Sequence, residues 1–393
     1  MLFFKLPTEL IRFTLSLLSP QEIDHLFSIN EIFSCPAVPN DPYFKIRLIA
    51  LQEYFSNRKL ILSNSDYHIY DLEDVNITLQ QLEFLKRENI MVNPREFSIF
   101  INYRITDEVN FIEKHKSLIK FVTSWSTKIK LQLEGTDEPE NQYLIEEILC
   151  SIADIDYKLD LLSLKHGGRS PKLESSDFTI NVTNLKLQLG GCHEFLYTIH
   201  TKECFKNVTS LDLSYNGISD ISRIKFPPSL INLNLSNNTI FVINDSSFDW
   251  KGLVNLETLD LSNNNIHHFS LRGTSENSYQ LTRLKLSGNH LTIVPKLYQS
   301  KLFHKLIDLD LSRNMLCGLH KFPGCLIKLS LRGNYLSQFH SQASGDIFPK
   351  TLTHLDLSHC RICCQLLTTQ DISNHLVTVE KLYRLSDLQI EGF

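Results

Sequence analysis

No stretch of this sequence offers the ~20 predominantly apolar residues that a membrane-crossing helix needs, so membrane insertion is not expected. Charge of one sign is also lacking. The 39 Lys and Arg against 44 Asp and Glu leave a formal charge of -5 over 393 residues. A nucleic-acid surface asks for a clustered basic excess, and no nucleic-acid partner is expected. The nine cysteines are odd in number and lack the paired spacing of a small disulfide framework, so reduced thiols are the simpler expectation. Catalytic signatures are missing as well: there is no G-x-x-x-x-G-K-[ST], G-x-S-x-G, H-E-x-x-H or G-x-G-x-x-G. Intrinsic catalysis is therefore not expected, and no cofactor is implied.

Cys360, Cys363 and Cys364 include the C-x-x-C spacing of half a zinc site, but Cys317 and Cys325 do not supply the other half. These read as core thiols, and no metal is expected. Sequons occur at Asn76, Asn181, Asn207, Asn234, Asn237 and Asn244, several of them inside a repeated Leu/Asn/Ser pattern that generates them by chance. The opening stretch LPTELIRFTLSLLS is broken by Pro7, Glu9 and Arg12 and is followed by no small-x-small site, so it does not read as a signal peptide.

What is present is a period. VTSLDLSYNGI (208–218), LINLNLSNNTI (230–240), LETLDLSNNNI (256–266), LTRLKLSGNHL (281–291), LIDLDLSRNML (306–316), LIKLSLRGNYL (326–336) and LTHLDLSHCRI (352–362) align without gaps on LxxLxLxxNxL. This pattern resembles the leucine-rich-repeat family, which implies an α/β horseshoe solenoid with a parallel sheet on its concave side. Strand geometry supports that independently, because alternate residues face opposite ways. Leu211 with Leu213, Leu259 with Leu261 and Leu309 with Leu311 then point into one core. The Asn at 216, 238, 264, 289, 314 and 334 falls where the chain turns inward, and an amide can both donate and accept there. Cys360 takes that place in the last clear repeat.

Phe-Pro pairs in FPPSL (226–230), FPGCL (322–326) and FPKTL (348–352) predict an irregular or polyproline-like outer side, with Phe filling the core. A longer repeat should bury Ile240, Ile243, Phe248, Leu253 and Leu256. Further back, strands are predicted at 96–103, 128–134, 158–166 and 184–190, with helices over 110–125 and 141–156. Residues 96–207 thus read as degenerate, helix-bearing repeats, 208–393 as regular ones, and 51–95 as a connecting or capping region. A separate α/β domain in the middle is the alternative. The end of the chain reads as a strand, RLSDLQIE, behind a helix over 371–385.

Leu10, Phe13, Thr14, Leu17 and Leu18 follow i, i+3, i+4, i+7 and i+8, the spacing of one helical face. Ser19, Pro20 and Glu22 then form a capping-box pattern that starts a second helix. Residues 1–50 resemble the F-box, carried by Leu6, Pro7, Glu9, Leu10 and Ile11, then Leu15, Ser16 and Leu18, then Ile23, Leu26 and Ile29, and by Asp41, Pro42, Phe44 and Leu48. The resemblance implies a substrate-recognition subunit of a cullin-RING ubiquitin ligase in the cytoplasm or nucleus. Its partners would be a Skp-type adaptor, bound through Leu6, Pro7, Glu9, Leu10, Ile11, Leu15, Leu18, Ile23 and Leu26, and through it the cullin scaffold. The plainer reading of the same segment is a helical cap over the open end of the solenoid.

On the concave face, Asp212, Asp260, Asp310 and Asp356 are the ordinary filler of the LDLS template. The residues that depart from it, Arg283, Lys285, Asp308, Arg313, Lys328, Arg332, His354 and His359, are the candidate partner contacts. The alternative function is a leucine-rich-repeat interaction scaffold, phosphatase-regulatory or cortical, with no ubiquitin role. An extracellular recognition ectodomain is a third class, set aside because a secretion signal and cysteine-rich caps are not apparent.

Overall fold

The alternating apolar residues of the strand segments build parallel sheets, one hydrogen-bonded strand per repeat. The structure, a computed structural model, describes residues 7–33, 42–56, 58–63, 74–102, 111–125, 128–135, 158–166, 180–190, 196, 205–247, 250–271, 279–336, 348–363, 381–383 and 389–391. It divides into two compact units, Met1–Gly167 with Phe178–Thr183 and Gly168–Asp177 with Asn184–Phe393.

The first unit opens with α1 (Thr8–Ser16), α2 (Pro20–Phe27), α3 (Ile29–Ile32) and α4 (Pro42–Phe55). The capping box forms as expected: the Ser19 hydroxyl accepts from the Glu22 N–H at 3.3 Å, and the Glu22 carboxylate accepts from the Ser19 N–H at 2.7 Å. Those bonds hold the Glu22 carboxyl below its ordinary range. The inward stripe of α1 is Ile11 and Leu15, which meets Ile23, Ile29, Ile32, Ile49 and Leu51 in a shared core. This corrects the predicted face, since Leu10, Phe13 and Leu17 are 46%, 62% and 70% exposed. Apolar side chains lie on more than one side of this helix, and packing against α4 selects the narrower stripe.

The nominated docking residues are divided by the same packing. Ile11, Leu15 and Ile23 are buried and have no side-chain surface to offer a partner. Pro7, Glu9, Leu10 and Leu26 are exposed, Leu18 is half-buried, and Leu6 lies outside the described residues.

Five parallel strands follow: β1 (Lys59–Ser63), β2 (Asp74–Asn76), β3 (Glu96–Asn102), β4 (Lys128–Gly135) and β5 (Leu159–His166), with α5 (Leu79–Arg87) before β3 and α6 (Phe111–Thr123) before β4. They lie in the order β2-β1-β3-β4-β5. The predicted strands at 96–103, 128–134 and 158–166 and the helix over 110–125 are found there, while 141–156 lies outside the described residues. In β4, Ile129, Leu131 and Leu133 are buried and the residues between them face out, where Lys130 pairs with Glu96 at 2.7 Å and Lys165 with Glu134 at 2.7 Å. The ring of Phe33 meets Phe84 of α5 edge-on at 5.2 Å, so the opening helical segment packs against α5.

The second unit carries β6 (Val182–Gln188), β7 (Ser210–Asp212), β8 (Asn232–Asn234), β9 (Val242–Ile243), β10 (Thr258–Asp260), β11 (His268–Phe269), β12 (Arg283–Lys285), β13 (Asp308–Asp310), β14 (Lys328–Ser330), β15 (His354–Asp356), β16 (Arg361–Cys363), β17 (Lys381–Tyr383) and β18 (Gln389–Glu391). The main sheet runs β6-β7-β8-β10-β12-β13-β14-β15-β17, all parallel. Its register aligns Leu211, Leu233, Leu259, Leu284, Leu309, Leu329 and Leu355 in one buried row. β9 with β11 and β16 with β18 form two small sheets.

Two expectations at the end of the chain change. Lys381–Tyr383, predicted as helix, is a strand that sets Leu382 beside Leu355, because K-L-Y repeats the x-L-x pattern of the strands before it. Gln389–Glu391 pairs with β16 rather than with the main sheet.

The predicted Asn column is realised in full. Each Asn side chain is buried, its Nδ2 donating to carbonyls of its own and the preceding repeat while its Oδ1 accepts a backbone N–H. Asn314, for example, donates to Leu286 O at 2.9 Å and Leu311 O at 3.1 Å and accepts from the Leu291 N–H at 3.1 Å. Cys360 continues the column with one bond, Sγ to Leu331 O at 3.0 Å. On the outer side Phe226 and Phe322 are buried, the Phe348 ring stacks on Phe322 at 5.8 Å, and Leu230, Leu326 and Leu352 close matching turns onto Pro227, Pro323 and Pro349. Elsewhere that side uses short 3-10 turns at Trp250–Gly252, Leu297–Gln299 and Lys301–Phe303. Ile240, Ile243, Leu253 and Leu256 are buried as predicted; Phe248 lies outside the described residues.

Candidate functional site

Each repeat presents two outward residues on its strand, then a turn, then the buried Asn. The second outward residue has a structural task in most repeats. Oδ1 of Asp212, Asn234, Asp260, Asp310 and Asp356 accepts the N–H two residues on at 2.9 to 3.0 Å, the geometry of an Asx turn. The aspartates set aside as soluble filler therefore shape the exit from the strand. The residue just before the buried Asn adopts a left-handed conformation throughout, at Tyr215, Asn237, Asn263, Gly288, Arg313, Gly333 and His359. At Gly288 an added Cβ would run into the Asn263 side-chain oxygen, so glycine fits there without displacing that amide.

The candidate contacts fall on this frame as follows. Arg283 and Lys285 flank Leu284 on β12, Asp308 precedes Leu309 on β13, Lys328 opens β14 and His354 opens β15, and register brings Arg283, Asp308, Lys328 and His354 into one row. Arg332 follows β14 at the position where the other repeats carry Ser214, Ser236, Ser262, Ser287, Ser312 and Ser358. Arg313 and His359 occupy the left-handed turn at φ 53° and 56°. Arg283, Lys285, Arg313, Lys328, Arg332 and His359 are exposed, and Asp308 and His354 are half-buried. His354 Nδ1 lies 2.7 Å from the Thr353 hydroxyl.

Electrostatically the acids and bases of this face differ. Asp260 accepts from Lys285 at 3.1 Å and Asp212 pairs with Lys186 at 3.5 Å, and each also closes its Asx turn. Among the described residues, Arg283, Arg313, Lys328 and Arg332 have no ion pair or side-chain hydrogen bond.

Exposed apolar side chains of the same repeats escaped the sequence reading. Ile307 and Ile327, just before β13 and β14, are 39% and 38% exposed. Met315 and Tyr335, just after the Asn in the same two repeats, are 45% and 46% exposed. Their signal was visible as N-M-L and N-Y-L, large side chains at a position where Asn216 and Asn238 are followed by Gly217 and Thr239.

Comparison with known proteins agrees with the repeats. The family model described as "Leucine rich repeat" matches residues 206–266 and 228–291, and a second, "Leucine Rich Repeat", matches 351–374. Lumican of Oryctolagus cuniculus is 34% identical over 148 residues, 37% of this chain and 73% of that one. Lumican of Gallus gallus is 29% identical over 180 residues, 45% of this chain and 50% of the relative. The "Transforming growth factor beta activator LRRC33" of Danio rerio is 28% identical over 309 residues, 73% of this chain and 44% of its own length. The chain thus spans about half the length of these last two curated relatives.

These matches overturn the ubiquitin-ligase expectation. The relatives are secreted matrix or membrane-associated proteins, which points away from the cytoplasm and nucleus and leaves the Skp-type adaptor and cullin without support. They fall in the ectodomain class that was set aside for want of a signal. The segment after the L-P-x-E-L-I opening forms a helix, Thr8–Ser16, whose Ile11 and Leu15 are buried. With 34% identity to a relative covered over 73% of its length, and with the repeat pattern realised strand by strand, this chain belongs to the leucine-rich-repeat family.

Proposed function

We propose that the chain is a non-catalytic protein-interaction module, holding a protein partner against the outward face of the sheet from β12 to β15. The observation that supports this is the departure from template on that face. Arg283, Lys285, Lys328 and Arg332 replace the neutral or acidic residues of the other repeats, and Ile307, Ile327, Met315 and Tyr335 add apolar area around them. Arg, Met and aromatic residues are enriched at protein interfaces, and the surface is built from rigid strands rather than loops.

Affinity capture with the full chain, followed by rebinding of the purified partner to variants, tests the reading. Ser330→Trp, which puts bulk in the middle of the face, should abolish rebinding, and Lys296→Glu in the loop leading to the Leu297–Gln299 turn should not. Loss by the second with retention by the first would place the interface elsewhere.

A further inference from the structure

We infer that the face over β12–β15 selects an acidic protein segment, one that brings carboxylates to Arg283, Arg313, Lys328 and Arg332. The inference deepens the proposed function and rests on the sheet face being the binding surface. Three observations converge on it.

The first is the imbalance of satisfied groups. Asp260, Asp310 and Asp356 each spend one oxygen on an Asx turn, and Asp260 also holds Lys285 at 3.1 Å. The four cations have no such partner among the described residues. An arginine carries five donors in a planar fork suited to a carboxylate, so this face offers donors whose acceptors must come from outside. In the first unit the outward lysines are treated differently: Lys130 and Lys165 pair with Glu96 and Glu134 on neighbouring strands, both at 2.7 Å. Asp308 is the one acid between Arg283 and Lys328 in the register, and it forms an ion pair with neither. It offsets part of the charge and pairs with neither Arg313 nor Arg332.

The second observation is backbone strain. Arg313 is held at φ 53° where the flanking repeats use Gly288 and Gly333 at 67° and 70°. A side chain with a Cβ is disfavoured there and Asn or Gly is the least costly solution, although Tyr215 and His359 fill the same position at φ 61° and 56°. The repeat keeps an arginine at a position its neighbours give to glycine. Arg332 lies on the adjacent repeat, its carbonyl accepting the Arg313 N–H at 2.6 Å, so the two guanidinium groups issue from directly hydrogen-bonded backbone.

The third observation separates a protein from other polyanions. Two residues beyond Arg313 stands Met315, and three beyond Arg332 stands Tyr335, both nearly half exposed, with Ile307 and Ile327 at the opposite end of the same two strands. A bare phosphate chain offers these four side chains nothing apolar, whereas a protein segment can bring both carboxylates and apolar side chains to one strand-built face. The formal charge of -5 for the whole chain also argues against a non-specific polyanion surface. An acidic segment with interspersed aromatic or aliphatic residues complements both features.

The test titrates the full chain into a fluorescein-labelled peptide of alternating Glu and Tyr and reads anisotropy. A peptide of alternating Lys and Tyr, a single-stranded oligonucleotide and vesicles containing an anionic lipid are the competing probes. The Glu-Tyr peptide is expected to bind and the Lys-Tyr peptide not, with affinity falling as salt shortens the screening length. The double variant Arg313→Ser with Arg332→Ser should weaken binding roughly tenfold, and Lys296→Ser should change it less than about twofold. Arg313→Gly relieves the backbone rather than burdening it, so its loss of about threefold cannot be laid to misfolding. No binding of the acidic peptide, equal binding by the double variant, or tighter binding of the oligonucleotide or vesicles would each overturn the inference. If the acidic peptide fails while Ser330→Trp still abolishes partner rebinding, the surface stands and only its charge preference is wrong.

Discussion

Asn289→Ala isolates what the buried amide column contributes. Nδ2 of Asn289 donates to Leu261 O at 3.0 Å and Leu286 O at 2.9 Å, and its Oδ1 accepts from the Ile266 N–H at 3.0 Å. Neighbouring amides overlap with it. Leu261 O also receives Asn264 at 3.0 Å and Leu286 O receives Asn314 at 2.9 Å, so both carbonyls keep a donor after the truncation. The Ile266 N–H loses its acceptor outright. An orphaned buried N–H costs about 1–3 kcal/mol and each of the two further lost bonds about 0.5–1.5 kcal/mol, which places the variant about 2–6 kcal/mol below the parent.

Asn289→Asp sharpens the test because it keeps the shape and the acceptor. It replaces the donor with an oxygen facing two carbonyl oxygens, so near neutral pH it should destabilise more than Ala does. Urea unfolding followed by circular dichroism gives the totals. Because stacked repeats open locally, amide exchange at Ile266 gives the site-specific part. Equal stability of the Asp and Asn forms, or unchanged Ile266 exchange in the Ala variant, would refute the view that the amide donors and acceptor hold the turns.

Leu309→Ala empties a site with 0% exposure in the buried row and should cost about 2–5 kcal/mol in urea unfolding, loosening adjacent repeats with it. Arg313→Gly should instead raise stability by about 0.5–1 kcal/mol, since φ 53° is unstrained for glycine. Arg332→Asp should leave the thermal melting profile nearly unchanged while reducing partner binding, read by calorimetry; a large loss of stability would contradict its outward placement. Burial holds the Cys360 thiol above its ordinary range. The unfolded chain therefore loses this proton first: the contribution is intact below the unfolded thiol pKa of about 8.5 and is lost as pH rises toward the folded value. Native alkylation followed by mass spectrometry should accordingly modify exposed Cys325 and spare Cys360, and Cys360→Ala should flatten the alkaline fall in melting temperature.

How far the repeats were legible follows from how many constraints act on each position. A strand leucine is fixed twice, by the alternation of faces and by register with its neighbours, and the Asn by the carbonyls it must satisfy; both were readable. The stripe of α1 is fixed only by what it packs against. Leu10, Phe13 and, at the C-cap, Leu17 were as apolar as Ile11 and Leu15, and nothing in so short a helix distinguished them. β17 failed for a related reason, because Lys-Leu-Tyr is too short a window to separate a strand from a helix period. The F-box resemblance rested on the Leu-Pro-x-Glu-Leu-Ile opening and the apolar positions behind it, a spacing that any amphipathic helix packed on a solenoid end can share. Frame positions are informative in a different way. Asp212, Asp260, Asp310 and Asp356 looked like filler until the Asx turns showed that the strand exit uses them, and this changes the meaning of a departure. Lys285 gives up an Asx turn, Arg332 interrupts a serine row, and Arg313 takes a glycine's backbone. Each forgoes a local stabilisation that the neighbouring repeats retain, and all three do so with an exposed cation within three consecutive repeats, which is why the charged face, rather than the exposed helix, carries the functional proposal.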